Sequence, residues 1–179
     1  NFLSTLSEKI NYDWPLVAKS LRLDKRIGKY AYLNPSLGLS GGNLERDLKT
    51  IIDLSKKNKI NNVLFKNFEK LSHYSKDWAS KKIYELIKKN RVKNIRIGIL
   101  GLTYKKNTHS IKNSPAIEFI KNKKNEKIIA YDPSMPKNLQ NDKLIIVNNY
   151  KKVLKNCNVL LIMNDWDEFK NINISSLSK

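Results

Sequence analysis

IRIGIL (95–100), KIIAY (127–131), LIIV (144–147) and VLLIM (159–163) are short runs rich in Ile, Val and Leu. They are apolar at nearly every position instead of alternating, which suits strands buried on both faces of a parallel sheet. Helical patterns lie between them at 114–123 and 149–156. Alternation of this kind predicts an α/β fold, with an open parallel sheet and right-handed crossovers. Upstream the apolar period lengthens to that of a helix. Phe2, Leu3, Leu6 and Ile10 share one face, and Asp13 is placed to cap a second short helix carrying Trp14, Val17 and Leu21. Pro15 falls in its first turn, where the missing N–H is tolerated. Leu44, Leu48, Ile51, Ile52 and Leu54 predict a helix from Asn43, and 61–89 reads as one long amphipathic segment without Gly or Pro. Residues 28–42 hold four of the six glycines and Pro35, and so read as a loop. These patterns place a boundary near residue 92, between a helical part (1–91) and an α/β part (92–179).

The 179 residues carry 35 Lys+Arg against 16 Asp+Glu, a formal charge of +19. Such an excess attracts phosphates. Only five of the cations are arginine, however: Arg22, Arg26, Arg46, Arg91 and Arg96. Arg does most base reading and phosphate forking. A lysine excess spread along the chain therefore reads first as a solvated surface, with nucleic acid the weaker alternative. One cysteine, Cys157, excludes a disulfide framework. No apolar run approaches the roughly 20 residues needed to span a bilayer. The opening NFLSTL has no start Met, basic n-region or signal h-region, so the expectation is a soluble, cytoplasmic protein and a piece of something longer.

Two segments carry more specific chemistry. One is GLSGGNLERD (38–47), preceded by DKRIG (24–28) and YLNPSLG (32–38); the other is ILGLTYKKNTHSIKNSPA (99–116). Together with YDP (131–133) and NDWDEF (164–169), they occur in the order found in nucleotide-sugar 6-dehydrogenases. The chain thus resembles the UDP-glucose/GDP-mannose dehydrogenase family over nearly its whole length. That resemblance implies the latter part of a helical central domain that makes a homodimer, followed by a Rossmann-like domain that binds the nucleotide of a UDP-sugar. It also implies NAD, held mainly by an N-terminal domain. The family oxidises a C6 alcohol to a carboxylate in two hydride transfers, through a cysteine thioester.

The resemblance assigns roles residue by residue. Asn43 stands where the family has its nucleophilic cysteine, and a delocalised amide nitrogen is no nucleophile at neutral pH. Arg46 stands where relatives have lysine and could stabilise an oxyanion. Asp47 keeps the acid assigned to orienting water. Arg26, Tyr32, Leu33, Gly38, Ser40, Gly41, Tyr104 and Lys105 are implied substrate contacts, with one extra residue between Arg26 and Gly38. Lys112 takes the place of an arginine that contacts the cofactor, and Ser110 and Asn113 replace acids that brace it.

Structural alternatives stand beside these roles. Asn43 is a good helix N-cap, Glu45 and Asp47 suit a helix's first turn, and Ser114-Pro115 suits a helix start. Asp132 could hold a ribose hydroxyl or form a turn before Pro133. Cys157 and Trp166 read as packing residues. His73 and His109 read as surface residues without metal-ligand spacing.

Overall fold

The computed structural model describes residues 1–91, 94–123, 126–136, 139 and 143–173. The expected boundary near residue 92 falls partly on residues 92–93, and the densest run of lysines in the sequence, KNKKNEK (121–127), partly on 124–125; both pairs lie outside the described residues. Five helices come first: α1 (Phe2–Lys9), α2 (Trp14–Leu21), α3 (Asn43–Lys57), α4 (Val63–Lys76) and α5 (Trp78–Asn90). They are followed by β1 (Ile97–Leu100), α6 (Pro115–Lys121), β2 (Ile128–Tyr131), β3 (Leu144–Ile146), α7 (Tyr150–Asn156) and β4 (Val159–Ile162).

The four strands form one parallel sheet in the order β3-β2-β1-β4. Ile97 lies level with Ile128 on one side and Val159 on the other. The expected α/β architecture is therefore present, built from the four runs of branched apolar residues. All four residues of β1 are buried, as a central parallel strand requires. One face of the sheet packs Ile97 and Ile99 against Phe119 of α6 and against Ala79 and Ile83 of α5. On the other face Leu100 meets Val153 of α7 and Cys157. Because α5 shares the sheet's core, the helical and α/β halves meet through buried apolar surface.

The single long segment expected over 61–89 is two helices. Asp77 ends α4 and begins α5, its backbone N–H donating to the His73 carbonyl. The physical reason is what each helix buries. α4 turns Ser72 and Lys76 inward, while α5 turns Ala79 and Ile83 toward the sheet. No Gly or Pro marks the break.

The helical half leaves much apolar surface uncovered. Phe2, Leu6, Leu44 and Phe68 are each about half exposed or more. With Ile51 and Phe65 they line an open groove of about 870 Å³.

Candidate functional site between the glycine loop and the Tyr104–Asn113 segment

The glycine loop is held from below by α4. Gly38 has a φ of +88°, and a Cβ there would fall 2.4 Å from the Ser72 carbonyl oxygen. The next N–H, that of Leu39, donates to Ser72 Oγ at 2.8 Å. Only glycine permits both this backbone conformation and this approach.

Its far end docks on the segment that follows β1. Gly41, at φ +78°, would place a Cβ 2.9 Å from Tyr104 Cε2, so the Tyr104 ring lies directly on the loop backbone. The Gly41 N–H donates to the Lys112 carbonyl at 3.0 Å, and Asn113 Nδ2 donates to the Gly41 carbonyl at 2.7 Å. Lys112 lays its side chain against Gly42. The two motifs, more than 60 residues apart in sequence, are thus one surface.

Several groups on that surface remain available to a ligand. Lys105 is exposed, with Nζ 5.6 Å from the Tyr104 ring centroid, and has no carboxylate partner among the described residues. Its neighbour Lys106 is committed to Asp167 at 3.3 Å and Asp165 at 3.7 Å. Within the loop the Leu39 and Gly41 N–H groups are used internally, while those of Ser40 and Gly42 have no partner among the described residues. Helix α3 starts at Asn43 with Gly42 at the N-cap and no side-chain cap. The N-cap expected of Asn43 is thereby corrected. Gly42 already has the turn's backbone geometry, so Asn43 is the first helical residue and points an exposed amide to solvent. An uncapped helix N-terminus beside Lys112 favours negative charge. A free ammonium, an aromatic ring and unpaired N–H groups together suit a phosphorylated ligand bearing a flat base.

Other residues of interest lie outside this cluster or are engaged elsewhere. Arg46 and Asp47 pair with each other at 2.9 Å on the surface of α3. The Arg26 guanidinium, 90% exposed, forks onto Asp24, holding that carboxyl below its usual range. Tyr32 stands fully exposed, and the Leu33 carbonyl accepts from Trp14 Nε1 at 2.8 Å. Ser40 is half-buried in the loop. Neither Arg26 nor Tyr32 joins the Gly41–Tyr104 surface.

Of the two readings of Asp132, the turn is the one present: Ser134 N donates to its Oδ1 and Met135 N to its carbonyl. Its side chain is fully buried. Oδ2 accepts from Leu102 N, Thr103 N and Thr103 Oγ1, and Oδ1 accepts from Ser134 N and Ser134 Oγ. Burial alone raises its pKa, but the hydrogen bonds from Ser134, Thr103 and Leu102 outweigh it and hold the carboxyl below the ordinary value. Such a group fixes the loop after β1; it has no room for a ribose. Ser114 holds the expected N-cap position of α6, ahead of Pro115, but its hydroxyl donates to the Leu102 carbonyl instead of capping the helix and so ties α6 to the same loop. Cys157 is fully buried, and burial pushes its thiol up to about 11, so it stays protonated at neutral pH and cannot act as a stand-in nucleophile.

Lys76 was not distinguished by the sequence, being one lysine among many on an amphipathic pattern. Its side chain is buried and its ammonium lies 2.7 Å from Glu45 of α3 and 3.3 Å from Glu118 of α6. Among the described residues no group of three or more His, Cys, Asp or Glu is placed to hold a metal ion. No described helix is long and apolar enough to cross a membrane.

Residues 1–73 match the central domain of the UDP-glucose/GDP-mannose dehydrogenase family, and residues 98–179 match that family's UDP binding domain. The chain is 32% identical over 176 residues to a UDP-glucose 6-dehydrogenase of Rickettsia bellii (strain RML369-C), covering 95% of this chain and 40% of that protein. It is 24% identical to a UDP-glucose 6-dehydrogenase of Arabidopsis thaliana, covering 99% of this chain and 42% of that protein. It therefore spans about two-fifths of the length of these relatives. The fold superposes on a UDP-glucose dehydrogenase from the archaeon Pyrobaculum islandicum with a TM-score of 0.85 at 21% identity, covering 97% of this chain and 40% of that one. It also superposes on a UDP-N-acetyl-mannosamine dehydrogenase from Staphylococcus aureus with a TM-score of 0.70 at 21% identity, covering 97% and 38%. Two matched domains in the family's order, joined by the loop contact at Gly41, identify the chain as a member of the UDP-glucose/GDP-mannose dehydrogenase family.

Proposed function

We propose that this chain is the substrate-binding part of an NAD-dependent nucleotide-sugar 6-dehydrogenase whose substrate is a UDP-sugar. The observation that carries this reading is the docking of the glycine loop on Tyr104. It sets a ring, a lysine without a carboxylate partner among the described residues and unpaired backbone donors along one seam. In this reading residues 1–91 are a central domain and residues 92–179 the nucleotide-binding domain. Tyr104 lies beside the base or ribose. Lys105 neutralises the diphosphate, and the N–H groups of Ser40 and Gly42 face the sugar phosphate.

The NAD reading rests on the family, and the chain's own residues suit a small part of that role. Lys112, against Gly42 at the uncapped start of α3, fits an anionic group such as a dinucleotide pyrophosphate. Bound NAD supplies the acceptor for hydride from the sugar's C6 carbon. Arg46 offers a fixed positive charge beside Asn43, but it is no proton donor near neutral pH. The uncovered groove lined by Phe2, Leu6 and Phe68 fits a homodimer through the helical half.

A second reading is favoured by one residue. Asn43 supplies no thiolate, and the Cys157 thiol is buried and protonated, so the family's thioester route has no nucleophile among these residues. The protein then binds nucleotide-sugars, or pairs with a copy of itself, without producing the acid. Titrating UDP calorimetrically against the chain tests the binding claim. Saturable binding, weakened at least tenfold by Lys105→Ala, is expected; no binding, or binding indifferent to Lys105, overturns it. Incubating the full-length protein with UDP-glucose and NAD separates the two readings. Formation of the uronic acid with Asn43 in place removes the second. A gel shift with duplex DNA checks the weaker nucleic-acid alternative, for which strong, salt-sensitive binding is required.

A further inference from the structure

Lys76 touches each part of the proposed site's frame. It sits in the last turn of α4 and is only 6% exposed. Its ammonium bridges Glu45, two residues after Asn43 on α3, and Glu118, in the first turn of α6 on the α/β half. Its Cγ lies 3.1 Å from where a Cβ on Gly38 would stand. One turn earlier on the same helix face, Ser72 holds the Leu39 N–H. A single buried cation thus contacts the glycine loop, the start of α3 and the helix that follows Asn113.

The geometry points to Lys76 as the positioning residue that fixes the glycine loop and the α3 start against the Tyr104–Asn113 segment, and so sets the shape of the nucleotide-sugar site. A buried ion pair adds little net stability over an apolar pair, because desolvation offsets attraction, whereas removing one partner leaves an uncompensated buried charge; in some proteins such pairs select one arrangement. Removing the ammonium leaves two carboxylates, from opposite halves of the molecule, facing each other without a cation between them. Repulsion then acts along the line that separates the halves. The ligand named here rests on the function proposed above; the mechanical coupling does not.

Lys76→Met, Lys76→Arg and Glu118→Gln, each checked for native circular dichroism, test the inference with two readouts. In hydrogen–deuterium exchange, Lys76→Met is expected to raise amide exchange at least tenfold in both 39–47 and 103–114. Lys76→Arg, which keeps the charge, returns both segments to within threefold of the parent. UDP affinity follows the same order. If Lys76→Met does not fold, Glu118→Gln decides, with a smaller rise of about threefold expected in both segments. Loss of protection confined to α4, or a failure of arginine to restore it, overturns the inference. If the parent chain does not bind UDP, the substrate reading fails alone, and the exchange pattern still decides the role of Lys76.

Discussion

The α/β half and the helical half settle their burial in different ways. In β1 every residue is buried, and a buried acid beside the sheet, Asp132, has both oxygens filled by hydrogen bonds from within the same half. In the helices before it, Leu44, Leu64 and Phe68 remain largely exposed, and the buried charge, Lys76, finds one of its two partners across the junction. The α/β half satisfies its buried acid internally, but one face of its sheet is covered in part by Ala79 and Ile83 of α5. The helical half keeps its other buried polar contacts to itself, sends the Lys76–Glu118 pair across the junction, and turns an apolar face outward.

The largest expected effect breaks this contrast at its centre. Ile99→Ala, at a fully buried site in β1, is expected to cost about 4 kcal/mol in chemical denaturation. A cost under about 1 kcal/mol would mean that the sheet is not the stable half. Next comes Asp132→Asn, which turns an amide NH₂ toward groups that already donate, at a cost of about 2 kcal/mol. This site also gives a pH signature. Because the folded carboxyl is held below its usual value, its stabilising contribution is present above the ordinary aspartate pKa near 4. The contribution is lost as pH falls through the lowered folded value. Urea midpoints compared between pH 7 and pH 3 are therefore expected to fall further for the parent than for Asp132→Asn.

Phe68→Ala addresses the other half. Its ring is about half exposed, so a stability change within about 1 kcal/mol is expected. Sedimentation velocity is expected to show weaker self-association, since the ring lines the open groove. An unchanged association state would remove the groove from the homodimer proposal. Arg46→Ala is the smallest effect, within about 0.5 kcal/mol in the same denaturation assay, because an exposed pair with its sequence neighbour is worth little.

How much of this was legible in the sequence follows the same division. The strands announced themselves because a parallel strand must be apolar on both faces, and four such runs stand out in a lysine-rich chain. The glycine loop was readable from its motif, and Tyr104 from the resemblance of ILGLTYKKNTHSIKNSPA (99–116) to the family's pattern. The contact between them was not, since the hydrogen bond from Asn113 to Gly41 spans 72 residues. The turn at Asp132 was readable from the Asp-Pro pair, but its donors at Leu102 and Thr103 were not, because they arrive through the β1–β2 pairing. The break at Asp77 carries no Gly or Pro signal, because it is imposed by what α4 and α5 each pack against. Asn43 was read as a cap because its residue type fits one; the loop's own geometry starts the helix one residue sooner.

The central claim is that one ligand site is assembled from both halves. Amide NMR during a titration with UDP tests it most directly, following Ser40, Gly41 and Gly42 together with Tyr104 and Lys105. The account predicts that both groups of signals shift along a single saturation curve with one Kd. Shifts confined to Tyr104 and Lys105 with the glycines unmoved, or no shifts at all, would contradict it.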